Sequence, residues 1–367
     1  MSRPRSRRRD GGPRPPHAQR GLALLVAILI VALGTMIAAS VAYDNALTAR
    51  KGTAVYAFDQ SVLVAQGAEA IAAYALRQIV QGDPKQLYIG QGWDKPLGPI
   101  EVGEQGSGLM LEATLEDLQG RFNLNNLVNN DGTPDTAMVT AFNQLLALLG
   151  LEQKWTGYII DWIDMDGTPS IPEGAEDSVY MGQTVPYRTP NRYITSTTEL
   201  LALPGFGRER FMMLAPYIAA LPHGTKINVC TASPQILDAF LGEGHMEYSS
   251  DGQALAKNRQ NSTGCFPKLT DYQASFDPKV WAGTATQTTT SGQTTSLLNN
   301  PQNTQTPGVP GTQATPGLNT KFGQTSNYFR LTSTVTIGST EFNVYSLLYQ
   351  DAQAQMVRPI QRSFTPD

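Results

Sequence analysis

The sequence has few of the residues that build metal-dependent or nucleophilic active sites. Its 367 residues include three histidines and two cysteines. His17, His223 and His245 stand in unrelated contexts without the spacing of a zinc site. The Gly-x-Ser-x-Gly motif of a hydrolase nucleophile is absent. We therefore interpret the chain as a protein that is not an enzyme and has no catalytic residues.

Charge is missing from one long stretch near the N-terminus. No charged residue occurs from Leu22 to Tyr43, and about 20 apolar residues suffice for a helix to cross a bilayer. The preceding residues 1–21 contain seven arginines and one acidic residue. The positive-inside rule keeps such a leader in the cytoplasm. The sequence predicts a single-pass membrane protein whose remainder lies on the opposite side.

The helix is predicted to continue beyond the membrane as far as Gly82. Apolar residues recur there at three- and four-residue spacing, which indicates an amphipathic helix. They are Val55, Phe58, Val62, Ala65, Ala68, Ala72, Ala75 and Ile79. We expect the buried face of this segment to contact partner subunits.

Basic residues are in the minority after the leader. Residues 22–367 contain 20 basic and 30 acidic residues, a net charge of about −10. Such a balance disfavours phosphate-binding surfaces, so no nucleic-acid partner is expected. A hydrophobic content of 41% over this length supports a packed core and more than one domain.

The N-terminal pattern resembles that of type IV pilins and type II secretion pseudopilins. A basic leader ends at Gly21, and an apolar run that extends into an amphipathic helix begins at Leu22. The resemblance implies cleavage between these residues by a prepilin peptidase and methylation of the new N-terminus. An ordinary single-pass anchor is the alternative.

Two further features make the chain similar to the large minor pseudopilin K. Most pilins have a glutamate at the fifth mature position, whereas this chain has Val26. A buried glutamate needs a partner from the neighbouring subunit above it, and a subunit at the filament tip has no such neighbour. The segment Gly120-Arg121-Phe122-Asn123-Leu124-Asn125 resembles a sequence found in K pseudopilins.

The resemblance implies an α+β, pilin-like fold: a long N-terminal helix packed on a small antiparallel sheet, with a large inserted all-α domain. Alternating apolar residues predict a strand at 109–115 and a hairpin at 328–349. The expected domains are as follows: 1–21 cytoplasmic leader, 22–43 transmembrane helix, 44–127 pilin-like helix and first strands, 128–282 helical insertion, 283–327 low-complexity mobile loop, and 328–367 C-terminal strands.

Residues 197–207 approach the helix-hairpin-helix pattern, with a turn at Leu203-Pro204-Gly205-Phe206-Gly207. Such turns often present backbone amides to nucleic-acid phosphates. Arg208 and Arg210 are the nearby cations, while Glu199 and Glu209 are acidic. Because phosphate binding needs a basic surface, we favour a tight corner within the helical domain.

The most distinctive chemical cluster is acidic. No lysine or arginine occurs between Lys154 and Arg188, and hard oxygen ligands favour calcium. An EF-hand is not predicted, since Trp162 occupies its first ligand position and Pro169 and Pro172 fit that loop poorly. The resemblance implies an acidic calcium loop instead; a solvated acidic loop is the alternative. The candidate ligands are Asp161, Asp164, Asp166, Glu173, Glu176 and Asp177.

The two cysteines are expected to form a disulfide. Cys230 and Cys265 would lie in an oxidising compartment if the topology is as predicted. The alternative is a pair of buried free thiols.

The resemblance implies a mechanical role in the inner membrane, with the C-terminal domain in the periplasm. The protein would nucleate and cap a pseudopilus that exports folded proteins across the outer membrane. Implied partners are minor pseudopilins I, J and H, the prepilin peptidase, the inner-membrane assembly platform, the secretin and secreted exoproteins. The alternatives are a type IV pilus tip pilin that binds DNA or a surface, and a membrane-anchored periplasmic enzyme.

Overall fold

The computed structural model describes residues 19–241, 256–257, 259, 264–266, 321–351, 353 and 355–365. The leader up to residue 18, with His17, lies outside these described residues. So do His245 and residues 283–320 of the low-complexity segment. The expectations made for these parts of the chain stay predictions.

The helices and strands follow one another as a long helix, two strands, a mixed helical region and three final strands. The α-helices are α1 Gln19–Gly82, α2 Thr136–Leu148, α3 Lys154–Ile163, α4 Asp177–Tyr180, α5 Gly207–Leu214 and α6 Pro234–Ala239. The strands are β1 Leu97–Glu101, β2 Leu109–Asp117, β3 Phe122–Asn123, β4 Ile218–Ala219, β5 Ile227–Asn228, β6 Phe322–Gly323, β7 Tyr328–Ile337, β8 Thr340–Asp351 and β9 Met356–Ser363.

The apolar side chains in the first part of α1 are exposed. The chain divides into one unit up to Gln60 and a second from Ser61 onward. In the first unit Leu25, Ile30 and Ile37 are exposed, which is the arrangement of a helix whose solvent is lipid. Among the described residues, α1 is the one helix long and apolar enough to cross a membrane.

Five antiparallel strands form the main sheet of the second unit, in the order β1-β2-β7-β8-β9. Strand β2 pairs with β7 from Leu109 opposite Ile337 to Asp117 opposite Phe329. The turn at Gly338 then returns the chain as β8, as the alternating pattern predicted. Strand β9 forms one edge of the sheet. Strand β1, which the sequence analysis did not predict, forms the other edge.

The part of α1 that belongs to the second unit, from Ser61 onward, packs on this sheet. Small residues of the helix allow close approach to apolar side chains of the central strands. The shared core contains Ala68, Ala72, Leu76, Leu87, Trp93, Leu109, Leu111, Ala113, Phe329, Leu331, Val335 and Leu348. The expectation that this helix face contacts partner subunits is therefore wrong for residues 65–76, because the protein's own sheet covers it. Leu63, Ile71 and Tyr74 are instead the exposed apolar residues of the same helix segment.

A second core holds the helical region together. It includes Phe122, Phe142, Trp155, Phe206 and Phe240, all buried. The region is less regular than the all-α expectation, since it also contains the short parallel pairs β3-β4 and β5-β6. Four 3-10 helices lie in or beside it: Leu118–Gly120, Leu124–Leu127, Thr197–Ala202 and Ala215–Tyr217.

The boundary between the two cores lies just after β2. Phe122, Leu124 and Leu127 belong to the helical core, although the expected domain boundary placed them with the pilin-like strands. Phe322 also packs there from the far side of the low-complexity segment. The helical region is thus an insertion between β2 and β7 that closes on itself through β6.

Candidate calcium site

The acidic loop begins at the end of α3, where Asp161 is fully buried. Its carboxylate accepts hydrogen bonds from the backbone N–H of Ser170, at 3.0 and 3.1 Å, and from that of Ala175, at 2.7 Å. Burial raises the pKa of Asp161 above its ordinary value, although these hydrogen bonds oppose the rise. The main role of Asp161 is therefore to tie the loop back onto the helix.

Two glycines allow the loop to lie against α3. A Cβ at Gly157 would overlap the carbonyl oxygen of Glu173. A Cβ at Gly174 would overlap the carboxylate of Asp161 and the backbone nitrogen of Ser170. Any larger residue at either position would displace the loop from the helix.

Three of the six candidate carboxylates converge in this loop. One carboxylate oxygen from each of Asp164, Asp166 and Glu176 lies within 4.8 Å of the other two. Asp164 and Glu176 are only 5% and 4% exposed, whereas Asp166 faces solvent. Asp164 Oδ1 and Glu176 Oε1 are buried without a hydrogen-bond partner in the described part of the chain. The group has the donor atoms of a cation site.

Placing the charged carboxylates of Asp164, Asp166 and Glu176 together without a cation is electrostatically unfavourable. Burial, reinforced by the charges of Asp161, Asp166 and Glu176, raises the pKa of Asp164 to about 7. Burial also raises the pKa of Glu176 to about 7, with Asp161, Asp166 and Asp177 adding to the rise. A bound cation would relieve both the desolvation and the repulsion.

The other three candidates have different surroundings. Asp161 is occupied with the loop amides. Asp177 accepts hydrogen bonds from Thr189 N and Oγ1, at 3.2 and 3.1 Å, and lies 3.4 Å from Arg188. Glu173 is exposed and lies outside the convergent group. The arrangement reduces six candidate ligands to three.

The donor set fits calcium better than zinc. Calcium takes six to eight oxygen ligands, which include carboxylates, carbonyls and waters, while zinc sites in proteins are built largely from histidine and cysteine. Within the described residues the cluster contains carboxylates alone. Asp164, Asp166 and Glu176 are the residues that would hold the ion.

Sequence reasoning overlooked Asn191, which contacts this loop from a distant segment. Its Nδ2 donates to the backbone oxygen of Asp166 at 3.3 Å, and its Oδ1 is buried without a partner in the described part of the chain. No local pattern reports this contact, since 25 residues separate the two positions.

The predicted cysteine pair lies beside the point where the helical region closes. The sulfurs of Cys230 and Cys265 are bonded to each other, and both residues are buried. Next to the disulfide, Gln86 and Gln324 donate to the carbonyl oxygen of Phe266 at 3.0 and 2.6 Å. The segment that carries Cys265 is therefore bound both to the loop that follows α1 and to the residues that precede β7.

The helix-hairpin-helix turn is closed by side chains. Arg210 donates to the carbonyl oxygens of Gly205 and Phe206, at 3.2 and 3.1 Å, and to both carboxylate oxygens of Glu152. Gly205 and Gly207 have φ angles of +78° and +75°, which favour glycine. These contacts favour the tight-corner interpretation over phosphate binding.

Comparison with known proteins places these features in a family. The family model described as type II secretion system (T2SS), protein K, matches residues 120–223. Type II secretion system protein K of Pectobacterium carotovorum is 33% identical over 66% of this chain and 75% of its own length. The corresponding protein of Pseudomonas aeruginosa is 32% identical over 61% of this chain and 68% of its length.

The chain belongs to the type II secretion system protein K family.

The fold of this chain is also found in a solved structure. A chain in the crystal structure of the GspK-GspI-GspJ complex from enterotoxigenic Escherichia coli superimposes with a TM-score of 0.64. The likeness covers 86% of this chain and all of the other, at 20% sequence identity. The expected α+β, pilin-like fold with a helical insertion is confirmed. Family membership and the apolar first half of α1 are together consistent with anchoring in the inner membrane.

Proposed function

We propose that this protein is a minor pseudopilin at the tip of the type II secretion pseudopilus. The observation that carries the proposal is the combination of a membrane-length helix with a large helical insertion on the pilin-like sheet. A filament grows by packing the N-terminal helices of successive subunits. A subunit with a bulky head nucleates assembly with other minor subunits and prevents addition above itself.

Partner choice follows from the same proposal. The structure that shares this fold is described as a GspK-GspI-GspJ complex, which supports the I-type and J-type minor pseudopilins as partners. The H-type pseudopilin, the assembly platform, the secretin and the secreted exoproteins complete the proposed set. The role is mechanical, so catalysis has no part in it.

Maturation and topology form a second part of the proposal. Gly21 and Leu22 lie near the start of α1, and the prepilin peptidase cleaves between them, after which the new N-terminus is methylated. The arginine-rich leader is cytoplasmic and the folded unit from Ser61 is periplasmic. Support comes from the charge asymmetry across the apolar run.

We further propose that this protein binds calcium through Asp164, Asp166 and Glu176. Two buried carboxylate oxygens that have no hydrogen-bond partner among the described residues support this site, since buried charged groups without compensation are costly. The ion supplies positive charge that offsets the repulsion among these carboxylates. It thereby holds the loop against α3 and gives the insertion a defined surface.

The test is co-purification of the full chain, in detergent, with I-type and J-type pseudopilins, with and without a calcium chelator. We expect a ternary complex that chelation weakens. Asp164→Asn with Glu176→Gln should mimic chelation, whereas Glu173→Gln is the matched control and should bind as the wild type does. Loss of all binding in calcium contradicts the tip role and favours a pilus tip pilin or another anchored protein. A complex indifferent to both chelator and variant contradicts only the calcium role.

A further inference from the structure

Asn191 lies in the segment between α4 and the 3-10 helix Thr197–Ala202, with a φ angle of +45°. Few residues other than glycine adopt this left-handed conformation, and asparagine is one of those enriched in it. The conformation directs the amide back toward the acidic loop, where Nδ2 donates to the carbonyl oxygen of Asp166. The backbone shape and the side-chain contact therefore support each other.

Contacts on both sides hold Asn191 in place. On its N-terminal side, Thr189 donates its N–H and hydroxyl to Asp177. On its C-terminal side, the buried Asn125 accepts from Ile194 N at 2.8 Å and donates to Ile194 O at 2.9 Å. The segment is thus fastened to Asp177 at the start of α4 and to the helical core, in addition to its contact with Asp166. Asn191 therefore contacts Asp166 from a segment that is held by hydrogen bonds on both sides.

Asp166 is the carboxylate that most needs such support. Asp164 follows directly on α3 and Glu176 directly precedes α4, and both are buried, while Asp166 is exposed on the loop. Its own carboxylate accepts a local hydrogen bond from Thr168 N at 2.7 Å, which shapes the turn but does not attach it to the rest of the molecule. The bond from Asn191 to the Asp166 main chain provides that attachment.

We propose that Asn191 is the positioning residue of the calcium site. Its amide nitrogen holds the Asp166 main chain so that this carboxylate stays with those of Asp164 and Glu176. The inference rests on the proposed calcium site and adds a residue outside the acidic cluster. Groups that orient metal ligands typically change metal affinity 10- to 100-fold when they are removed.

Two substitutions separate this role from the alternatives. Asn191→Gly keeps the left-handed backbone and removes the donor, and we expect calcium affinity to fall by about tenfold. Asn191→Asp keeps a side-chain oxygen and can adopt the left-handed backbone conformation. It replaces the donor Nδ2 with an acceptor oxygen beside the Asp166 carbonyl. Its affinity should therefore fall as well, despite the added negative charge. Gln355→Gly, at an exposed position far from the loop that also has a positive φ angle (+50°), is the matched control and should bind as the wild type does.

The experiment is calorimetric titration of CaCl2 into the metal-free full chain in detergent, together with melting curves in chelator and in calcium. We expect both Asn191 variants to melt near the wild type without calcium and to gain less from calcium. Unchanged affinity in Asn191→Gly would overturn the positioning role and leave the calcium site standing. Tighter binding by Asn191→Asp would overturn it too, since the oxygen would then be acting as a ligand. If the wild type binds no calcium, this inference and the calcium proposal both fail.

Discussion

Arg362 of β9 binds the carboxylate of Glu69 of α1 through two hydrogen bonds, each 2.7 Å long. Ser346 of β8 donates a third to the same carboxylate at 2.7 Å. Glu69 is only 5% exposed, and the two-pronged geometry suits an arginine–carboxylate pair. This contact fastens the edge strand to the helix across the sheet.

We predict that Arg362→Met lowers the free energy of unfolding by about 2 kcal/mol, because it leaves a charged Glu69 buried with only Ser346. Combining it with Glu69→Gln should recover part of the loss. Urea unfolding of the full chain in detergent measures both effects. Arg358→Met, on the same exposed strand, is the control. An equal loss in the control would show that the strand, and not the ion pair, is responsible.

The two glycines under the acidic loop give a second prediction. Gly157→Ala and Gly174→Ala should each destabilise the protein by about 1–3 kcal/mol, the usual range for inserting a methyl group into filled space. They should also weaken calcium binding, since the loop must move away from α3. Gly167→Ala is the matched control, because a Cβ there meets no atom within 4 Å. Melting temperature and calcium titration are the measurements, and wild-type behaviour of Gly174→Ala would refute the packing argument.

The raised pKa values of Asp164 and Glu176 predict a pH dependence. Both are raised to about 7 from ordinary values of 3.8 and 4.5. Between about pH 4 and 7 the folded metal-free protein therefore binds more protons at these groups than the unfolded chain does. Their contribution to stability is greatest below this window and falls as the pH rises through it.

This dependence is measured as the melting temperature in chelator at several pH values, relative to an Asp164→Asn, Glu176→Gln double variant. We expect the wild type to lose stability relative to the variant from pH 5 to 8. Saturating calcium should remove the loss, because the ion stabilises the charged carboxylates. A difference that does not change with pH would mean that these groups titrate normally.

The disulfide gives the last prediction. Cys230 and Cys265 are 35 positions apart, and closing a loop of this length stabilises a protein by about 3–4 kcal/mol through the unfolded state. Replacing both by serine should lower the urea midpoint by a corresponding amount. Reductant should destabilise the wild type and leave the double variant unchanged. If reductant has no effect on the wild type, the bridge does not contribute to stability.

Several elements could be predicted because their signals are local. The prediction of a membrane-length helix depends only on the length of an uncharged run, and that of the hairpin β7-β8 on alternation interrupted by Gly338. Strand β1 gave no such signal. It contains Gly98 and Pro99 and is largely exposed. It forms because its backbone pairs with the edge of β2.

For the candidate site, too, the sequence indicated the region but not the individual ligands. Composition alone pointed to residues 161–177 as a carboxylate-rich stretch without cations. The selection of Asp164, Asp166 and Glu176 from the six candidate ligands required the tertiary contacts. Asp161 accepts hydrogen bonds from the loop amides, and Arg188 lies beside Asp177. Neither can be read from spacing, since both depend on how the loop folds back.

The long apolar helix, the central strands, the acidic stretch and the family resemblance could all be recognised in the amino-acid sequence, because each is a property of neighbouring residues. The folded chain was needed to show which face of α1 is covered, which three carboxylates converge and that Asn191 contacts Asp166. Those outcomes depend on contacts between residues far apart in the chain, and such contacts form only when the whole core packs.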